Sequence, residues 1–232
     1  MNMSVFIQAR MQSRRLPGKT LMLINNITLL ENIINKIKLC KQAHNIHVLT
    51  SINPENEPIV ALCKKINVSC FRGSEHNVAE RFLKAAKTIK DKYFIRIAGD
   101  SPLIVPEIID NCAAICIKNK HDIVTNVLER SFPKGQSVEI IKRELYIKNY
   151  PRFSNNDDFE HVTKFFYRKK NEFRIFNYAN TKDLSNFNLS VDTTDDYVRA
   201  QRISKKSKLI TIKDLNSIDY SVYHDPKKPK KT

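Results

Sequence analysis

The stretch from Gln8 to Lys19 sets Arg10, Arg14, Arg15 and Lys19 around a Pro17-Gly18 pair. Arginine forks match phosphate oxygens, and lysine adds a mobile point charge. Gly18 lets backbone N–H groups come close to an anion. Such a loop suits a polyphosphate, although charge alone serves a solvated basic loop equally well. The spacing fits neither GxGxxG nor GxxxxGK[ST], which removes the dinucleotide fingerprint and the P-loop. Two aspartates complete the set. Asp100 follows Gly99 in "RIAGDSPLI", and Asp192 follows Val191 in "LSVDTTDD". At the carboxyl end of a strand, each could hold a hard cation bound to phosphate. The plainer alternative for Asp100 is a turn-forming Asp. Thr193 and Asp196 can cap the next helix, so Asp195 and Asp196 read as helix-start residues. Two carboxylates and a basic loop are the parts for metal-assisted attack at phosphorus.

The positioning elements are legible as an alternation. Short apolar runs at 3–9, 46–51, 68–71, 93–98 and 122–126 read as strands. Helical spacing occupies 29–41, 58–66, 75–90 and 106–118. Leu30, Ile33, Ile34 and Ile37 recur at i, i+3, i+4, i+7. Thr28 with Glu31 forms a capping-box pattern. The order predicts an α/β fold, a mostly parallel central sheet with helices on both faces. Beyond about residue 127 the pattern loosens. There the expected elements are strands at 138–141, 173–178 and 188–191, and helices at 143–150, 157–169 and 195–205. Of the four glycines, Gly18, Gly73, Gly99 and Gly135, three follow strand-like runs, where open α/β sheets bind ligands.

The 232 residues suit one domain spanning the whole chain, with residues 225–232 as a disordered basic tail. No apolar run reaches bilayer length and no signal-peptide pattern opens the chain, so a cytoplasmic protein without membrane insertion is expected. The five cysteines, Cys40, Cys63, Cys70, Cys112 and Cys116, include no CxxC pair and read as reduced core thiols. The formal net charge of +16 invites nucleic acid. The lysines are dispersed, however, and only Lys227, Lys228, Lys230 and Lys231 form a dense run. The reading is therefore an anionic small-molecule ligand and no nucleic acid.

The segments "IQARMQSRRLPGKTL", "FRGSEHNVAERFLKAAK", "RIAGDSPLIVPEIID", "FPKGQSVEI", "FEHVTKFFY" and "NLSVDTTDDYVRAQRI" occur in one order over nearly the whole chain. In that set the chain resembles the cytidylyltransferases of the spore coat polysaccharide biosynthesis type, relatives of the CMP-Kdo and CMP-acylneuraminate synthetases. The resemblance implies a nucleotide-diphospho-sugar transferase-like fold. It implies transfer of CMP from CTP to an acidic sugar or phosphorylated acceptor, with Mg²⁺ as cofactor and release of pyrophosphate, for surface polysaccharide or glycan biosynthesis. It also implies a homodimer. By the same resemblance Arg10, Arg15, Gly18 and Lys19 belong to the triphosphate loop, and Asp100 and Asp192 are the metal ligands. Arg72, Gly73 and Ser74 lie beside the nucleotide. Glu139, Glu160 and His161 fall in segments expected to face the acceptor. The chain departs from the family at Gln12, usually Gly, at Arg14, usually Thr, and at Ser137, which replaces a carboxylate.

An acceptor phosphate or carboxylate is already ionised, whereas a sugar hydroxyl needs a base, for which His161 is the candidate. A structural role serves His161 as well. Phe165, Phe166 and Tyr167 read either as a stacking surface or as core or dimer interface. Three alternatives stay open on sequence: another triphosphate with a sugar 1-phosphate or polyol phosphate, a basic RNA-binding protein, and a non-catalytic family member.

Overall fold

The computed structural model describes residues 3–206 and 209–220. Residues 225–232, expected to form a basic tail, lie outside the described residues. The strands are β1 (Met3–Gln8), β2 (Leu23–Ile24), β3 (Ile27–Thr28), β4 (Ala43–Ser51), β5 (Ser69–Gly73), β6 (Tyr93–Ala98), β7 (Ile123–Thr125), β8 (Glu139–Lys142) and β9 (Ile175–Asn177). The helices are α1 (Leu29–Ile37), α2 (Glu57–Lys65), α3 (Val78–Thr88), α4 (Pro106–Asn119), α5 (Arg143–Asn149), α6 (Asn156–Glu160), α7 (Lys164–Arg168), α8 (Thr194–Lys206) and α9 (Ile212–Asn216). Seven strands form one sheet in the order β5-β4-β1-β6-β8-β7-β9. Every neighbouring pair is parallel except those of β8, which runs antiparallel to both β6 and β7.

Alternating side chains explain the layers. Val5 and Ile7 of β1, with Ile95 and Ile97 of β6, enter one core with α1, α2, α4 and α8. Phe6 and Phe94 face the other way and pack with α3, α5 and α7. Strands buried on both faces carry near-continuous apolar runs, as β1 and β6 do. The expected capping box is present at α1: Glu31 N donates to Thr28 Oγ1 at 3.1 Å, and Thr28 N donates to Glu31 Oε2 at 3.0 Å. No helix among the described residues is long and apolar enough to cross a membrane.

Three expectations need correction, and one element is additional. Residues 188–191 form no strand and contribute only a single bridge between Asn188 and Lys134. The helix expected from residue 75 starts at Val78, because Asn77 Oδ1 accepts from Glu80 N at 2.8 Å and caps it there. The helix expected over 157–169 is broken into α6 and α7. No glycine or proline marks that break. Val162 and Thr163 are buried between the two helices, and Thr163 Oγ1 donates to Glu139 Oε1 at 2.6 Å. The β2–β3 ribbon was not anticipated; Asn25 and Asn26 turn it with positive φ.

The chain runs β1→β4→β5 to one side of β1 and then crosses to β6 on the other, so β1 and β6 flank a topological switch point. Their carboxyl ends are in very close contact. Gly99 N donates to Gln8 O at 2.8 Å, and a Cβ on Gly99 would stand 2.5 Å from that same oxygen. Glycine is therefore required immediately before Asp100. Gly99→Ala is expected to cost about 2 kcal/mol through forced backbone displacement, measured as a fall of several degrees in Tm.

Candidate active site

The basic loop leaves β1 at its carboxyl end and is tied down by backbone bonds. Gly18 N donates to Met11 O at 2.9 Å, and Thr20 Oγ1 donates to Arg10 O at 3.0 Å. Met11 N donates to Oδ1 of the fully buried Asn56 at 2.9 Å. Gly18 takes φ +72°, a value that L side chains rarely adopt, and turns the chain into the short helix that starts at Lys19. The loop arrives in a fixed shape, and its cations are pointed by that shape.

Lys19 is the meeting point. Its Nζ donates to Val191 O at 2.7 Å and to Asp192 Oδ1 at 2.8 Å, and lies 3.7 Å from Asp100 Oδ2. Arg15 Nη2 lies 3.0 Å from Asp192 Oδ2. Val191 N donates to Asp100 O at 2.8 Å, which locks the two aspartate segments side by side. Burial pushes the Asp192 carboxyl upward. The Lys19 hydrogen bond, with the charges of Lys19, Arg15 and Lys134, outweighs it and holds the group below the usual carboxylate range. Asp196 sits beneath as support: its Oδ2 accepts from Asp192 N at 3.1 Å and Thr193 N at 3.0 Å, and its N–H is capped by Thr193 Oγ1 at 3.2 Å.

These groups open onto a cavity of about 870 Å³ above the ends of β1 and β6. Arg10, Arg15, Lys19, Asp100, Glu160 and Asp192 all line it. Gln8, Arg14, Glu75 and Arg96 line it as well. Five Lys and Arg side chains on that lining face four carboxylates, so the cavity holds dense charge of both signs.

Other residues singled out from the sequence are placed elsewhere. The Arg72 guanidinium donates to Ser51 O and Ile52 O and pairs with Glu57, away from the cavity lining. Ser74 works through its backbone and hydroxyl in the turn before α3, where its Oγ accepts from Asn77 N at 3.0 Å. His161 ends α6, half-buried, with its N–H on Asp157 O at 2.9 Å, and is not among the cavity residues. Phe165 and Phe166 are fully buried core. Glu139 is 2 % exposed, and both its oxygens are engaged. Arg96 pairs with one; Thr163 Oγ1 and Tyr167 OH each donate to the other at 2.6 Å. Burial alone would raise its pKa, but Arg96 and the two hydroxyls hold it below the ordinary 4.5. Its partner Arg96 reaches on to Gln8 Oε1 at 3.2 Å and forms cavity wall. Arg96 was legible as a lone cation inside an apolar strand, a costly placement that asks for a reason.

With this geometry in place, the likeness to known proteins follows. A cytidylyltransferase solved from Leptospira borgpetersenii superposes with a TM-score of 0.88 at 31 % identity, covering 93 % of this chain and 92 % of that one. A CMP-2-keto-3-deoxy-manno-octonic acid synthetase solved with CTP shares the fold at a TM-score of 0.68 and 14 % identity, covering 89 % and 99 %. The fold is thus that of nucleotide-activating transferases. The spore coat polysaccharide biosynthesis protein SpsF of Bacillus subtilis is 30 % identical over 226 residues, 90 % of this chain and 93 % of that protein. The sequence pattern of the cytidylyltransferase family matches residues 4–224, and the chain belongs to that family of nucleotidyltransferase enzymes.

The Glu139 pair gives a prediction about stability. Glu139→Gln leaves Arg96 without its countercharge and should cost about 3 kcal/mol in urea unfolding at neutral pH. The depressed folded-state pKa means that the Glu139 contribution is complete above the ordinary 4.5 and drains away as pH falls through the lower folded value. The variant should therefore lose less stability than the parent as pH falls below the ordinary 4.5.

Proposed function

We propose that this enzyme moves CMP from CTP to an anionic small-molecule acceptor, an acidic sugar or a phosphorylated compound, and releases pyrophosphate. The observation that carries the reading is the convergence of Asp100 and Asp192 on the single ammonium of Lys19 at the switch point. Two carboxylates that close together are stable only around positive charge. They offer hard oxygen donors, and Mg²⁺ is commonly held by one or two carboxylates with substrate phosphates and water supplying the rest. Among the described residues no cluster of three or more His, Cys, Asp or Glu offers a fuller cage. The donor set fits Mg²⁺ bound together with a triphosphate, and Asp100 and Asp192 are the residues that would hold it. When bound, the ion supplies charge that offsets the triphosphate and polarises the phosphorus under attack.

The protein's own groups do the rest. Arg10, Arg15 and Lys19 meet the β- and γ-phosphates and stabilise the leaving pyrophosphate. Gly18 brings the loop backbone close to those oxygens. The acceptor approaches on the flank that carries Arg96 and Glu160. Glu139, fully engaged by its neighbours, acts there by positioning Arg96. An acceptor phosphate or carboxylate oxygen is ionised at neutral pH and attacks without a general base, whereas a sugar hydroxyl would need one. The location of His161 outside the cavity lining favours the ionised nucleophile.

The names of the relatives suggest the pathway setting, supply of an activated sugar for surface polysaccharide or glycan. The same likeness extends to a homodimer, which sedimentation would register as twice the chain mass.

A pyrophosphate-release assay with CTP and Mg²⁺, over pooled ulosonic acids, sugar phosphates and polyol phosphates, tests the reading directly. Asp100→Asn should reduce turnover by orders of magnitude with the fold intact, and Lys19→Met should lower kcat by about a hundredfold or more. Near-normal rates in Asp100→Asn would remove the two-carboxylate scheme. His161→Asn should leave the pH–rate profile unchanged; a lost limb in that profile would restore the histidine as a base.

A further inference from the structure

The turn from α2 into β5 brings two free thiols together, away from the cavity. α2 carries Cys63 in its last turn. Val68 N donates to Cys63 O at 2.9 Å and Asn67 N to Lys64 O at 3.3 Å, with Asn67 at φ +53°. That left-handed residue and the two bonds close the helix end and reverse the chain. β5 therefore runs back beside the helix. Its second residue, Cys70, packs against the core cluster that holds Cys63. Cys63 is 1 % exposed, whereas Cys70 stays partly open to solvent on the edge strand of the sheet.

The surroundings set Cys70 apart from the other four. Cys70 and Arg72 are two apart in a strand and share a face. Hydrogen bonding to the Cys63 thiol lowers Cys70 below the ordinary 9.0; burial opposes that, and the Arg72 charge adds to it. The same hydrogen bond, with burial, pushes Cys63 up and leaves the proton there. Burial raises the three remaining thiols, Cys40 and Cys116 to about 12. Thiolate is the reactive form of cysteine. An accessible, acidified thiol in contact with a second thiol is the arrangement that oxidises reversibly.

We propose that Cys70 is a modification site for hydroperoxides, with Cys63 as the thiol that resolves it. The Cys70 thiolate attacks one peroxide oxygen. The O–O bond breaks, hydroxide leaves and is protonated by solvent, and Cys70 becomes a sulfenic acid. The Cys63 sulfur then attacks the Cys70 sulfur, the S–O bond breaks, and water departs with the Cys63 proton. Two electrons pass from the thiol pair to the peroxide, and a disulfide ties β5 to α2.

Hydrogen peroxide itself is the probe, applied briefly to the whole chain before free thiols are alkylated. Trypsin cuts at Lys64, Lys65 and Arg72 and so separates the two cysteines. The expected product is peptides 42–64 and 66–72 joined at a mass two hydrogens below their sum, with Cys40, Cys112 and Cys116 alkylated. Without peroxide, Cys70 should take iodoacetamide at least about tenfold faster than any other cysteine at neutral pH. In Cys63→Ala, Cys70 should stop at the sulfenic acid, trapped by dimedone, and its alkylation midpoint should move to higher pH. A parent protein in which Cys70 stays reduced, or is oxidised without the link to Cys63, overturns the assignment. So does a midpoint that Cys63→Ala leaves in place, since exposure alone would behave that way. Cys70→Ser, at a partly exposed position, keeps the test independent of the buried substitution. It should form no peroxide-dependent link, and a link from Cys63 to another cysteine in that variant overturns the pairing as well.

Discussion

Everything in the cavity is arranged around one largely shielded ammonium. Lys19 Nζ holds a backbone carbonyl and two carboxylates, one of which comes from a residue 173 positions further along the chain. Without a cation there, Asp100 and Asp192 would repel each other across the backbone bond from Val191 N to Asp100 O that joins their segments. With the cation, the first strand, the sixth strand and the loop before α8 are fastened at a single point. The arrangement suits nucleotidyl transfer. The cations that would meet a triphosphate and the carboxylates that would hold its metal already neutralise one another, so neither set pays the full cost of isolated burial.

A second charged contact secures the adjoining wall. Glu139 and Arg96 face each other across the β6–β8 pairing, and two hydroxyls from the broken α6–α7 segment complete the glutamate. The break in that helix and the burial of the glutamate are one fact: Thr163 and Tyr167 reach Glu139 because the chain stops being helical just before them.

Much of this was open to inspection in the sequence, and the boundary is instructive. The β1 and β6 runs, the α1 capping box and the Gly-Asp and Val-Asp strand ends all depend on local chemistry, and local chemistry is what a one-dimensional string displays. Residues 188–191 read as a strand because Leu189 and Val191 are apolar and flank polar residues. Their burial comes from packing into the core shared with α1, α4 and α8, and pairing stops at one bridge. The α6–α7 break depends on a carboxylate more than twenty residues away, so no local pattern announces it. Arg72 was expected beside the nucleotide only by the family resemblance of its segment. Its guanidinium is instead taken by carbonyls of the β4 exit and by Glu57, partners that only the sheet brings near.

The reversed direction of β8 has a consequence for the charged centre. In a wholly parallel sheet each strand would offer the cavity only its terminal loop. Because β8 runs backward, its first residue, Glu139, pairs with Arg96 of β6 and with Thr125, the last residue of β7, buried behind the cavity wall. The connection between β7 and β8 carries Lys134, whose charge acts on Asp192, the carboxylate that Lys19 holds. A substitution at Lys134 would therefore be felt at the charged centre itself, so the reversed strand couples its own flank to the basic loop.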